Sequence, residues 1–163
     1  LPLPAGWQLS GLTGVSHVVY PSRAYFDSSL WEARGVLTYQ QGPIWLQGSG
    51  GYGVDIGNGA RAGGDRHGLF ASLSARAALG GGVLGELGWL YQSWAGARSY
   101  SPGLIDVARR QHTQLLRAMV SLPLSKEHGL FLEYRMVRNR ENISLFAYQS
   151  RSVQLGWQWQ FGR

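Results

Sequence analysis

The sequence predicts an all-β fold, an eight-stranded antiparallel up-and-down transmembrane β-barrel. Three observations carry it: eight segments with apolar residues at every second position, connections that alternate short and long, and a charge-free face opposite one holding mid-strand arginines and glutamates. Period two marks a strand, because successive side chains leave a pleated backbone on opposite sides.

The segments fall at 7–19, 30–40, 44–56, 69–79, 83–91, 111–124, 130–137 and 149–161. Segment 30–40 is the clearest: Trp31, Ala33, Gly35, Leu37 and Tyr39 share one face, and Glu32, Arg34, Thr38 and Gln40 the other. In 44–56 the alternation passes through Gly48, Gly50, Gly51 and Gly53. No helix and no Lys-Ser or Lys-Thr pair follows these glycines, so they are read as making room for Arg34 across a hairpin rather than as a phosphate loop. Segment 111–124 contains good helix formers, yet Gln114, Leu116, Ala118, Val120 and Leu122 alternate with Thr113, Arg117 and Ser121, which favours a strand. The last two apolar faces read Leu130, Leu132, Tyr134, Met136, then Val153, Leu155, Trp157, Trp159 and Phe161.

Tight connections are expected at Gln41-Gly42-Pro43, at Gly80-Gly81-Gly82 and at 125–129, and long polar loops at 21–29, 57–68, 95–110 and 138–146. Short turns at one end and long loops at the other, joining an even number of strands of membrane-crossing length, describe a membrane barrel. Composition agrees with an unusual environment: of 163 residues 24 are glycine, aromatics reach 12% and charged residues only 15%, against roughly 25% in ordinary soluble domains. No apolar run is long enough for a spanning helix, and no leader pattern is read at the start, so a mature chain or one domain of a longer protein is expected. Residues 1–5 read as a linker and 6–163 as the barrel. The absence of cysteine removes thiolate metal sites and cysteine nucleophiles.

The rival fold is a soluble barrel of the lipocalin kind, whose apolar face points inward. Seven charges, Glu32, Arg34, Arg76, Glu86, Arg117, Glu133 and Arg135, sit on the face opposite the apolar one. They are costly in a dry core but can pair inside a small barrel whose exterior meets lipid. Arg76 and Glu86 stand five positions either side of Gly81 and are expected to face each other. The network is expected to plug the lumen; an open conduit is the other reading.

The closing segment holds Gln154, Gly156, Trp159 and Phe161, a polar residue, a glycine two later and two spaced aromatics. In this it resembles bacterial outer-membrane β-barrels, whose last strand is read by the barrel-insertion machinery; that resemblance implies an outer-membrane location, although Gly162 and Arg163 follow the usual final aromatic. From Leu132 to Phe161, with Glu133-Tyr134-Arg135, 138–143 and Phe146-Ala147-Tyr148, the chain also resembles the C-terminal barrels of tetratricopeptide-repeat exporters of exopolysaccharide and of surface-lipoprotein assembly modifiers. This implies a periplasmic repeat domain or export complex as partner, in families whose larger members have more than eight strands.

The net charge is +6. Most of the excess falls at the long-loop end, where Arg23, Arg61, Arg66, Arg98, Arg109, Arg110, Arg138, Arg140 and Arg151 outnumber five acids. At an outer surface this favours phosphates of outer-leaflet lipid and lipopolysaccharide over nucleic acid. His17, His67, His112 and His128 form no constellation with serine and carboxylate, so no catalytic residue, metal or cofactor is expected. The functional expectation is a membrane anchor or translocation-associated domain of an envelope assembly or export system, with a passive small-solute pore or a lipid-modifying enzyme as alternatives.

Overall fold

A computed structural model describes residues 3–159; Leu1, Pro2 and 160–163, including Phe161 of the expected assembly signal, lie outside the described residues. Eight strands form one antiparallel sheet in chain order: β1 (Trp7–Val18), β2 (Ser28–Gln41), β3 (Ile44–Gly57), β4 (Arg66–Gly80), β5 (Val83–Ser101), β6 (Ile105–Pro123), β7 (His128–Glu141) and β8 (Tyr148–Trp159). All eight predicted segments are strands. Two short 3₁₀ turns, Ala24–Phe26 and Ser144–Phe146, sit in the connections before β2 and β8.

Tight turns lie where the glycines permit them. Gly42, with φ 55°, and Pro43 join β2 to β3, and Gly80, Gly81 and Gly82, with φ of 96°, 58° and 78°, turn β4 into β5. A Cβ is strained in that left-handed region, so glycine is required. The 95–110 loop is a correction: β5 and β6 are 19 residues each and run on as a hairpin to a turn at Gly103. In this stretch register shifts at Ala95/Ser99 and Ser99/Ser101 break the alternation while backbone pairing continues. Likewise β7 runs to Glu141.

Closure is a second correction. The sheet is open, with no pairing of β8 to β1 among the described residues, and nearly every residue of these two strands is exposed. Local hairpins impose each neighbouring pair; nothing local imposes a pairing of first strand with last, whose ends are far apart along the chain.

Register fixes the two faces. Arg34, Gly51, Phe70, Gln92, Thr113, Asn139 and Tyr148 form one cross-strand row on what we term the inner face. The outer face carries Trp7, Leu9, Trp31, Leu37, Leu46, Tyr52, Leu69, Leu73, Leu87, Leu132, Val153, Leu155 and Trp157, all exposed. The only buried apolar side chains among the described residues are Phe70 and Ile143, at 9% and 8% exposure. The accessible surface is 11325 Å², whereas a folded soluble chain of 17.9 kDa exposes about 8,000 Å².

Phe70 is held by a missing side chain. Its ring lies over Gly51, where a Cβ would collide with the ring and with the Ala33 carbonyl oxygen. Gly68 does the same for Trp94. Gly51→Ala should therefore lower stability by about 1–3 kcal/mol, an overpacking cost, while Gly11→Ala, with no atom within 4 Å of the new Cβ, should stay within about 0.5 kcal/mol. Urea unfolding midpoints in detergent compare the two; equal midpoints would contradict the packing described.

Candidate functional site

The inner face gathers the polar chemistry in two clusters. The first is mid-sheet. Arg76 on β4 stands opposite Glu86 on β5, Nε to Oε1 3.5 Å. Glu86 also meets Arg117 Nη1 on β6 at 3.5 Å, and Arg117 Nε donates to Glu133 Oε2 on β7 at 2.8 Å. Charges thus alternate in sign across four consecutive strands. Glu32 and Arg34 pair along β2 at 3.7 Å, and the Arg34 guanidinium stacks 4.8 Å over the Phe70 ring. Arg135 has no ion-pair partner among the described residues and stands beside Arg117. Six of the seven predicted charges are therefore in ion pairs, on the face of an open sheet where Arg76 keeps 56% side-chain exposure.

The second cluster lies at the long-connection end, past the apolar band. Asp55, 3% exposed, accepts from Arg61 Nη2 at 2.9 Å and Arg66 Nε at 2.6 Å. Burial alone would raise its carboxyl; the hydrogen bonds and charges of the two arginines outweigh this and hold it below the ordinary range. Arg109 grips Glu141 through Nε and Nη2, both 2.6 Å, and with Asn139 Nδ2 at 2.8 Å keeps Glu141 low against its own burial. Aromatic rings back the arginines: Arg66 lies 5.0 Å over Trp94, and Arg109 4.4 Å over Phe146. Between them is a cavity of about 250 Å³ lined by Tyr20, Phe26, Arg61, Arg66, Trp94, Tyr100 and Arg109. Its arrangement, guanidinium groups beside flat apolar faces, suits a ligand with both anionic and planar apolar surface.

The expected basic loops are thus mostly strand: of the nine arginines only Arg23 and Arg61 are in connections, while Arg66, Arg98, Arg109, Arg110, Arg138, Arg140 and Arg151 lie on strands. Register also divides them. Arg66 and Arg109 face inward, and Arg110, Arg138 and Arg140 outward. The pairing of Asp55 and Glu141, the acids that organise this cluster, is not legible in the sequence, because the register across a long connection is invisible there.

Gln154 stands opposite Glu133, and Gly156 opposite Phe131, whose ring occupies the space a Cβ would need. Trp159 faces outward near the short-turn end, 5.5 Å from the His128 ring, which also meets Trp157 at 5.3 Å. The other histidines have local partners too: His17 Nδ1 meets Ser29 Oγ at 2.9 Å, His112 Nδ1 meets the Tyr91 hydroxyl at 3.1 Å, and His67 stacks on Tyr52.

No protein family, curated protein or solved structure matches this chain.

Two outcomes follow from the clusters. Glu86→Gln should cost about 1–3 kcal/mol, since it leaves both Arg76 and Arg117 without their shared carboxylate, whereas Glu127→Gln in the turn should cost less than about 0.5 kcal/mol. Unfolding in urea separates them. The mouth cluster also makes stability depend on pH. Because Asp55 and Glu141 titrate lower folded than unfolded, their contribution is present above the unfolded values, about 3.9 and 4.3. It is lost as pH falls through the lower folded ones. Acid titration of the unfolding free energy should fall less steeply in Asp55→Asn than in the parent; an unchanged slope would contradict the assignment.

Proposed function

We propose that this chain is an outer-membrane β-barrel domain of a bacterial envelope assembly or export system, anchoring or assisting translocation of polysaccharide or surface protein. The observation that carries the reading is the outer face: broad, apolar, exposed and, among the described residues, backed by no buried apolar side chain beyond Phe70 and Ile143. In water such a face is an aggregation surface; in hydrocarbon it is the ordinary exterior of a spanning sheet. The strands, 12 to 19 residues long, exceed the roughly 9–11 residues that cross a bilayer at a tilt. Outward Trp7, Tyr39, Trp157 and Trp159 toward the short turns, and Trp31 and Tyr52 toward the other end, suit the two interfaces.

Lipid also supplies the condition for closure. Unpaired edge amides cost several kcal/mol each in hydrocarbon, and β1 and β8, being the first and last of an even set, run antiparallel and can pair. On this reading both termini are periplasmic, the barrel-insertion machinery reads the end of the chain through Gln154, Gly156, Trp159 and Phe161, and a periplasmic repeat domain or export complex is the partner. A second reading, a passive small-solute pore, is favoured by the exposure that Arg76 and Arg117 retain.

The test is insertion into lipid vesicles followed by planar-bilayer recording. Protection from external protease is expected for the parent chain. Val120→Arg, at an exposed outward position, should lose about 2–4 kcal/mol and insert poorly, while inward Ser121→Asn should insert normally. The anchor reading expects near-silence in the bilayer; a stable open conductance would support the pore. Insertion of Val120→Arg equal to the parent would refute the membrane reading.

A further inference from the structure

The outward face carries no charged residue from β1 through β4, or along β5 up to Ala95. Its charges gather at one corner, where β6, β7 and β8 approach the long-connection end. Arg138 and Arg140 are two apart on β7 and so share a face. Arg140 stands opposite His112 and Arg138 opposite Gln149, which makes Arg110 and Arg151 their diagonal neighbours, about 7–8 Å away. All four are exposed, and none is in an ion pair among the described residues. Arg151 Nη2 reaches only the side-chain amide of Gln149, 3.1 Å. The one acid on that face, Asp106, is four residues from Arg110 along β6 and accepts the Gly103 N–H at 2.7 Å. Four exposed arginines thus occupy neighbouring positions with no ion-pair partner among the described residues, a local basic patch that attracts an anion.

Toward the short-turn end the same strands present Leu116, Met136, Val153 and Leu155, with Trp89 of β5 opposite Leu116. Charge and apolar surface are continuous, with the charge at one end only. That is complementary to an amphiphile with an anionic head and acyl tails, and poorly matched to a polyanion, which has no tail to cover the apolar strands. We propose that the corner formed by Arg110, Arg138, Arg140 and Arg151 binds the phosphate headgroup of an outer-leaflet glycolipid whose acyl chains lie along β6–β8. The inference rests on the membrane reading above and deepens it: the face has an orientation and a preferred lipid. Arginine suits the task because its planar fork takes a phosphate through two hydrogen bonds and never loses its charge.

The test uses the whole chain reconstituted in phosphatidylcholine vesicles doped with diphosphoryl lipid A or with its dephosphorylated form, insertion being scored separately by protease protection. Lipid retained per chain is titrated by mass spectrometry after detergent extraction. Each single Arg→Gln variant at the four positions should weaken lipid A retention by about fivefold, and the quadruple variant by roughly a hundredfold or more. Arg23→Gln, a charge change in the β1–β2 connection, should match the parent. Dephosphorylated lipid A should bind the parent no better than lipid A binds the quadruple variant. Equal retention by inserted parent and inserted quadruple variant would overturn the site and leave the membrane reading standing. Displacement of lipid A by millimolar inorganic phosphate alone would reassign the corner to free phosphate. A parent chain that fails to insert overturns both.

Discussion

Backbone hydrogen bonding between consecutive strands is the interaction on which everything else here depends. With only Phe70 and Ile143 buried among the apolar side chains of the described residues, no hydrophobic interior exists to hold the chain together. What fixes it is the ladder, set hairpin by hairpin from turns such as Gly42-Pro43 and Gly80 to Gly82. Register follows from turn geometry, and a slip of one residue would carry every side chain to the other face. The separation of charge from apolar surface is therefore a consequence of where the turns are.

Given that register, the inner network is nearly dictated. Arg76, Glu86, Arg117 and Glu133 fall on adjacent strands at heights where long side chains reach one another. Their alternating signs make each strand's placement support the next, a cross-strand effect modest for any single pair and larger for a chain of pairs. At the mouth the same logic is tighter, because Asp55 is buried and holds two guanidinium groups. The glycines of β3 and β4 belong to this arrangement. By leaving space over the backbone they let Phe70 and Trp94 lie flat, and those rings in turn carry Arg34 and Arg66.

The sequence was most informative where distances along the chain are short. The Arg76–Glu86 pairing could be counted out from Gly81, and the inward placement of Glu32 and Arg34 follows from alternation within one strand. Asp55–Arg66 and Arg109–Glu141 could not be found this way, since each spans a connection whose length hides the register. The distal β5–β6 hairpin is not legible from alternation, because register shifts at Ala95/Ser99 and Ser99/Ser101 interrupt the period of two. Gly51 was read as space for Arg34; the space is filled by Phe70 and Arg34 lies on top. The open seam between β1 and β8 is the same lesson at full length, since no short turn joins the first strand to the last.

The central claim, that the outer face of the sheet meets hydrocarbon while the inner face does not, can be read from the tryptophans. Trp89 and Trp157 face outward and Trp45 and Trp94 inward. Single-tryptophan versions of the chain, reconstituted in vesicles of lipid brominated along the acyl chain, report which rings touch lipid. Strong quenching at Trp89 and Trp157 with little at Trp45 and Trp94 is the predicted result. Quenching at Trp45 and Trp94 in place of the outward pair, or at none of the four, would contradict it.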